Sequence, residues 1–199
     1  MSKKEEILEA AIDLFSKEGY AAVSIRDITR AVGIKESSLY NHFSSKQQLL
    51  ESILEMLRRE FQSIFPPLEG IETLLASSEP GQFLRNGYGR YQAHFNSPGV
   101  SRLWRIISIE QYRNPLAREI LLKDMIDQTL QFLEAVFAYY VKAGKIRRLN
   151  PRILAAEYQY PVFTMLMEYS LLKAAGEKTD ALEQRMEDHM GFFLAAIKP

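Results

Sequence analysis

The chain has 199 residues, of which 47% are hydrophobic and 25% are charged, and its formal net charge is zero. This composition is typical of a soluble globular protein that is long enough to bury a core. The absence of cysteine excludes disulfides and thiolate metal sites. No apolar run approaches the roughly 20 residues of a membrane span, and the N-terminus lacks a signal peptide's apolar core, so we expect a cytoplasmic protein with no membrane partner.

Helix signals follow one another from the N-terminus. Serines at positions 2 and 24 match helix-capping patterns, and they predict the starts of the first two helices. Gly19 and Gly33 predict where these helices end, because glycine tolerates a left-handed backbone. A short, densely polar helix follows and ends in Leu39-Tyr40-Asn41-His42-Phe43. We assign Ile28, Leu39 and Phe43 to the core that holds these helices together.

Two short helices that meet at Gly33, the second of them densely polar, have the build of a helix-turn-helix. In this motif the second helix enters the major groove of DNA. The chain is therefore divided into a helix-turn-helix DNA-binding domain over residues 1–47 and a helical body over residues 48–199. The balanced net charge argues against non-specific coating of nucleic acid, but it allows a local basic patch.

The body also shows helical periodicity and almost no strand signals. Ser44 and Ser45 predict the start of a long helix that runs through Phe61. The segment over residues 116–141 has the most regular apolar stripe of the chain. A helix that begins near Pro151 should be kinked by Pro161. The predicted fold class is therefore all-α.

Several groups of residues in the first quarter of the chain occur in a characteristic order and spacing. They are Ile7 to Gly19, Ser24-Ile-Arg-Asp-Ile28, Ala31-Val-Gly33-Ile34, Ser38-Leu-Tyr-Asn-His-Phe43, Ser45-Lys46 and Leu49-Leu50. In these groups the chain resembles the TetR family of transcriptional regulators. The other three quarters agree with that family only in length and helical character. The resemblance implies an N-terminal three-helix head and a larger body that binds a small molecule and dimerises. Thr29, Lys35 and Ser37 depart from the residues that are common in the family, so base preference does not carry over.

The resemblance implies that the helix over residues 35–41 lies in the major groove, with its first side chains at bases and flanking side chains at phosphates. Glu36 has two interpretations, since it accepts from a cytosine amino group or offsets a neighbouring charge. Tyr40 would contact a phosphate or a thymine methyl group, and Lys46 a phosphate at the start of the next helix. The implied DNA-binding residues are Ser24, Lys35, Glu36, Ser37, Ser38, Tyr40, Asn41, His42 and Lys46.

The body contains aromatic and soft apolar residues that suit a small-molecule pocket with a few polar groups. The alternative for each of them is ordinary core packing. The predicted effector is a small apolar or aromatic molecule, and no cofactor is expected. The candidate ligand-binding residues are Tyr88, Tyr91, His94, Trp104, Tyr112, Met125, Tyr158, Phe163 and Met167.

A homodimer is expected, because one recognition helix reads only a few base pairs and a twofold dimer reads two half-sites about 34–36 Å apart or a multiple of that spacing. The helices over residues 151–173 and 179–197 would form the interface as a four-helix bundle. The candidate interface residues are Tyr158, Met165, Met186, Met190 and Phe193.

The sequence shows no enzyme constellation. It has three histidines without a metal-ligand pattern, no P-loop and no dinucleotide glycine fingerprint. The predicted function is a ligand-responsive transcriptional regulator, a repressor rather than an activator, that binds a palindromic operator as a homodimer and is released by its effector. The alternative is a DNA-bound adaptor whose body binds a protein partner and senses no small molecule.

Overall fold

A computed structural model describes residues 1–67 and 69–199 of the chain. These residues form eleven α-helices and one π-helical segment and contain no strand, which confirms the all-α class. The helices are α1 (Lys3–Glu18), α2 (Ile25–Val32), α3 (Glu36–Tyr40), α4 (Lys46–Gln62), α5 (Ile71–Ala76), α6 (Pro80–Asn96), α7 (Pro98–Glu110), α8 (Pro115–Glu119), the π-helical segment Ile120–Asp127, α9 (Gln128–Lys142), α10 (Pro151–Ala175) and α11 (Asp180–Ile197).

The helices belong to two compact units. The first unit consists of residues 1–63 and 96–125, and the second consists of residues 64–95 and 126–199. The first unit therefore holds α4, α7 and α8 in addition to the three N-terminal helices. The functional boundary predicted after residue 47 lies inside this unit, and it stays a prediction about roles.

The first unit is built around α1, which packs against α2, α4 and α7. Ile28, Leu39 and Phe43 are buried, as expected for the core of the N-terminal helices. Burial of one such side chain stabilises the fold by about 1.5–3 kcal/mol. Because Leu39 is the buried residue of the five-residue α3, it holds this helix against the unit and leaves its polar residues toward solvent.

Local caps fix the ends of the N-terminal helices. Ser2 and Ser24 each form the predicted capping box, in which the serine hydroxyl accepts from the third helical N–H. The Ser45 hydroxyl caps α4 in the same way, accepting from the backbone N of Gln48 at 3.0 Å. Gly33 ends α2 with φ of 71°, a left-handed conformation that favours glycine.

Replacement of Gly33 by alanine should therefore strain the turn between α2 and α3. A Cβ there meets no atom within 4 Å, so the expected loss of about 1–2 kcal/mol comes from the backbone alone. Gly89 is the matched control, since it lies inside α6 with equal space, and Gly89→Ala should instead add about 0.5–1 kcal/mol. Urea denaturation measures the free energy of unfolding of both variants. Equal effects of the two substitutions would contradict the requirement for glycine in the left-handed turn at Gly33.

The predicted regular helix over residues 116–141 is interrupted in the structure. The π-helical segment separates α8 from α9. Its wider turns shift the register, so that Leu122 is half exposed while Asp124 and Met125 are buried. The Asp124 carboxylate accepts from Nε of Arg58 on α4 at 2.9 Å, so the shifted register places a buried carboxylate beside a cation.

In the second unit, α9 packs extensively on α10, and α10 contacts α11. Rings of Phe137, Tyr158 and Phe193 form the centre of this packing, with centroids 5.2–6.3 Å apart. Helix α10 is assigned without interruption across Pro161. The kink expected at that residue stays a prediction.

Candidate nucleic-acid interface and apolar cavity

The residues predicted to contact DNA all lie in the first unit, on or beside α2, α3 and the start of α4. Glu36, Ser38 and Lys46 are half-buried, and the other six are exposed. Tyr40, at the end of α3, has 49% of its surface exposed. Because Leu39 anchors the helix, the exposed Tyr40 ring is held at the protein surface, where it can contact a large polar binding partner.

Glu36 is occupied by a neighbouring charge. Nε of Arg26 on α2 donates to Oε1 of Glu36 at 2.9 Å. This ion pair supports the interpretation in which Glu36 offsets a charge. Both side chains are substantially exposed, so the pair itself contributes little stability.

Lys46 has a role that sequence reasoning missed. Its Nζ donates to the backbone carbonyl oxygens of Tyr20 at 2.7 Å and Val23 at 2.6 Å, and it lies 4.1 Å from the centroid of the Tyr20 ring. Partial burial lowers the pKa of the Lys46 ammonium, and the carboxylate of Glu110 opposes this shift. The side chain therefore ties the loop between α1 and α2 to the first turn of α4. With two of its three N–H groups used in this way, Lys46 has at most one left for a phosphate.

The second unit contains a cavity of about 170 Å³ between α6, α9, α10 and the segment that follows α4. Its wall is mainly apolar, and the Phe65 and Phe132 ring centroids are 5.1 Å apart. Among its aromatic lining residues are Phe65, Phe83, Tyr88, Tyr91, Phe132 and Tyr158. An apolar, partly aromatic cavity with few polar groups is the usual form of a small-molecule site.

Two polar groups of the cavity wall already have protein partners. The Tyr158 hydroxyl donates to the carbonyl oxygen of Leu84 at 3.3 Å, and the Tyr88 hydroxyl donates to Sδ of Met186 at 2.6 Å. Desolvation raises the pKa of Tyr88 to about 12, and nearby carboxylates reinforce the shift. Burial also raises the pKa of Tyr91. The surroundings of these phenols therefore oppose negative charge.

The structure brings three of the nine predicted ligand-binding residues to the cavity, namely Tyr88, Tyr91 and Tyr158. The remaining six lie elsewhere. His94, Phe163 and Met167 belong to the second unit but are not on the cavity wall, Trp104 and Met125 are buried in the first unit, and Tyr112 is 85% exposed in the first unit. Periodicity predicts burial, but it does not say which compact unit buries a side chain.

The cavity also contains residues that the sequence reasoning missed. Gln159 is buried on α10 and lines the cavity beside Tyr158. Its signal in the sequence was a single uncharged amide within a largely apolar helix. Phe65 lies between the end of α4 and the Pro66-Pro67 break. Because it lies outside a helix, the helical periodicity of the sequence gave no indication that it lines the cavity.

The five residues predicted for the dimer interface are placed in the interior of the second unit. Tyr158, Met165, Met186, Met190 and Phe193 are all buried within the single chain. A side chain that its own chain already covers adds almost no apolar surface to an association. The same two helices expose other apolar residues, including Ile153 and Phe192, which line a groove with Leu149 and Pro161.

Within residues 1–67 and 69–199, no cluster of three or more histidine or acidic side chains has the arrangement of a metal site. None of the helices in this described part of the chain has the length and apolar character needed to cross a bilayer.

Comparison with known proteins gives matches concentrated at the N-terminus. Residues 7–53 match the family of bacterial regulatory proteins called the tetR family. The HTH-type transcriptional repressor KstR2 of Mycolicibacterium smegmatis is 35% identical over 85 residues, which cover 39% of this chain and 42% of the repressor. The chain thus spans less than half the length of this curated relative.

Solved structures match along almost the whole chain. The flavonoid-responsive regulator FrrA is 25% identical with a TM-score of 0.63, and the alignment covers 99% of this chain and 97% of FrrA. SmeT, the repressor of a Stenotrophomonas maltophilia multidrug efflux pump, is 20% identical with a TM-score of 0.69, covering 100% of this chain and 92% of SmeT. The SmeT likeness is one of fold.

Proposed function

Because this chain belongs to the TetR family of bacterial transcriptional regulators, we propose that it is a cytoplasmic repressor that binds a palindromic operator as a homodimer. A small effector that enters the cavity of the second unit releases it from DNA. The observation that carries the proposal is the short polar helix α3, which Leu39 anchors while Lys35, Ser37 and Tyr40 stay exposed.

DNA binding is assigned to the exposed side of this motif. Lys35 is a long, flexible donor, and Ser37 and Ser38 are short donors. All three lie at the start of α3, the part of a recognition helix that reaches base edges. Tyr40, Asn41 and His42 follow at its end and are available for phosphates. The Arg26–Glu36 pair reduces the positive charge of this surface, so we expect affinity to depend on a few phosphate contacts.

Dimerisation is assigned to the exposed apolar groove of α10 and α11 in place of the buried residues predicted first. Ile153 and Phe192 have 59% and 75% of their surfaces exposed. Exposed apolar residues that line one groove favour association with an equal groove on a second chain. Two heads held in this way read two half-sites, which provides the specificity of a palindromic operator.

Effector binding is assigned to the cavity. Its aromatic lining favours an apolar or aromatic molecule, and the flavonoid-responsive FrrA offers a structural relative whose name indicates response to an aromatic compound. The DNA-bound adaptor that senses no small molecule would need no such cavity, so the described cavity favours the regulator.

The chain itself connects the cavity to the N-terminal unit. Helix α4 ends at Gln62, and Ile64, Phe65 and Pro66, immediately after it, line the cavity. We infer that a bound effector displaces this segment and with it α4, which carries the Lys46 anchor at its other end. A hundredfold loss of operator affinity requires a coupling of only about 2.7 kcal/mol.

Binding-site selection with the purified protein tests the DNA-binding function. We expect enrichment of one inverted-repeat duplex at moderate ionic strength, with binding that disappears as salt rises. Purified protein that prefers no duplex over random competitor DNA would overturn the proposal.

Substitution of Tyr40 tests the assigned surface. Tyr40→Ala should weaken binding of the selected operator by roughly tenfold, because it removes an exposed side chain that reaches the DNA from the end of α3. Its stability should change by less than about 0.5 kcal/mol, as is usual for an exposed residue. Fluorescence anisotropy measures the affinity, with Tyr112→Ala as an equally truncated control in the same unit. Equal affinities of the two variants would remove Tyr40 from the interface.

A further inference from the structure

The cavity of the second unit contains a polar side chain that the described residues do not fully satisfy. Gln159 on α10 is only 3% exposed, and its Nε2 has no hydrogen-bond partner within residues 1–67 and 69–199. Buried amide N–H groups are nearly always paired, because an unpaired one loses its hydration without compensation. The hydroxyls of Tyr88 and Tyr158 on the same wall already donate to protein atoms. The Gln159 amide is therefore where an incoming molecule gains most from a hydrogen bond.

The size and lining of the cavity restrict the rest of this molecule. An apolar cavity of about 150 Å³ is known to hold a benzene ring, and this one measures about 170 Å³. Phe83 and Phe132 have ring centroids 6.5 Å apart, while Phe65 lies 5.1 Å from Phe132. These rings pack on one another and all three line the cavity, so a further ring placed against them gains aromatic contacts of the same kind. The cavity therefore fits one six-membered aromatic ring with a short substituent.

The electrostatics of the cavity oppose an anionic ligand. Burial raises the pKa of both Tyr88 and Tyr91, since desolvation disfavours the phenolate, and the same cost applies to a carboxylate placed beside them. Arg90 is the only charged residue among the described lining residues, and its side chain is exposed to solvent. A solvated cation at the edge does little to offset the burial of a negative charge.

We propose that this cavity selects an uncharged single-ring aromatic molecule with one hydrogen-bond acceptor, of the aryl ketone or aryl ester class, and that Gln159 donates to that acceptor. The proposal rests on the proposed function, because it specifies the effector of the same cavity. Gln159 then acts as the specificity-determining residue, while the phenylalanines provide apolar contact that any single ring would gain.

Two nearly isosteric probes separate the hydrogen bond from the apolar contact. Acetophenone has a carbonyl oxygen where α-methylstyrene has a CH₂ group, and benzoate supplies the charged comparison. Calorimetric titration of the full chain should show that acetophenone binds about three- to tenfold more tightly than α-methylstyrene, as expected for one neutral hydrogen bond. Benzoate should bind more weakly than acetophenone.

Replacement of Gln159 should remove this preference. Gln159→Leu is expected to bind the two neutral probes with equal affinity or to favour α-methylstyrene, and retained binding of α-methylstyrene shows that the cavity is intact. Gln159→Met provides a second apolar variant in case the leucine variant does not fold. Gln184→Leu is the matched control, since Gln184 is exposed on α11 and donates to Asp188, and it should keep the wild-type preference.

The wild-type measurements alone can overturn the proposal. Equal affinity for acetophenone and α-methylstyrene, absence of binding by either, or tighter binding of benzoate would each do so. A preference that persists in the folded Gln159 variants would remove Gln159 from the role. Operator binding measured on the same preparations keeps the two hypotheses apart. Selected DNA binding without probe binding rejects only the effector class, whereas Gln159-dependent probe binding without any DNA preference rejects only the repressor function.

Discussion

Replacing both Ile153 and Phe192 with aspartate is expected to convert the protein into a monomer and to weaken operator binding by about a hundredfold or more. Both side chains are exposed in the single chain and line one groove on α10 and α11. Burial of an unpaired carboxylate in an apolar interface is costly, so the dimer should be lost while the folded chain persists. A single head then binds one half-site without the gain from a linked second head, which is commonly 10²–10⁴-fold. Analytical ultracentrifugation and operator titration measure the two effects.

The control for this experiment is Leu122→Asp. Leu122 is a half-exposed apolar residue of the π-helical segment; it belongs to the first unit and does not line the groove. It should leave the oligomeric state and the operator affinity close to those of the wild type. A dimer that survives the double substitution would move the interface to another surface, and a monomer that still binds the full operator with wild-type affinity would show that dimerisation does not provide the specificity.

The N-terminal motif was predictable because its determinants are local. Caps at Ser2 and Ser24 act on backbone groups three residues away, and Gly33 sets its own backbone angle. Leu39 is the single apolar residue in the middle of a short polar segment, so its burial follows directly. The order of such local signals is sufficient to identify a helix-turn-helix, and the resemblance to the family rests on the same residues.

The cavity lining and the exposed apolar groove were less predictable because α10 is apolar on more than one face. Tyr158 and Met165 are buried, while Ile153 and Leu171 on the same helix are exposed. A helix with two apolar faces has a weak periodic signal, and the sequence does not show which face the chain itself covers. For the same reason the predicted interface residues were those of the core. Position on the helix circumference, which only the packed structure gives, separates the buried Gln159 from the half-exposed Tyr160 beside it.

The π-helical segment illustrates a different limit. A periodicity of 3.6 residues predicts that the buried apolar stripe includes Leu122. The wider turns of the π-helical segment instead bury Asp124 and Met125. The Arg58 side chain beside Asp124 comes from α4, which is more than 60 residues earlier. A pairing between positions so distant in the chain leaves no local signal, so a buried aspartate was not expected.

Lys46→Met is expected to lower the free energy of unfolding by about 2 kcal/mol, which is a larger effect than the removal of a single phosphate contact would suggest. The Lys46 ammonium donates to the carbonyl oxygens of Tyr20 and Val23. Hydrogen bonds from a charged donor contribute about 1.5–3 kcal/mol each when buried, and partial exposure reduces this value here. Urea denaturation of the DNA-free protein measures the loss.

Lys35→Met provides the contrast that separates an anchor from a residue that binds DNA. Lys35 is exposed and makes no cap hydrogen bond to α3, so its replacement should leave stability within about 0.5 kcal/mol of the wild type. If it holds a phosphate, the dependence of log affinity on log salt concentration should become shallower by about 0.9 for each phosphate that the variant no longer neutralises. Lys46→Met should lower the free energy of unfolding and leave this salt dependence nearly unchanged, since two N–H groups of Lys46 are already used within the protein. A Lys46 variant with unchanged stability and a shallower salt dependence of operator binding would contradict the role of Lys46 as an anchor between the α1–α2 loop and α4. It would support a contact between Lys46 and DNA.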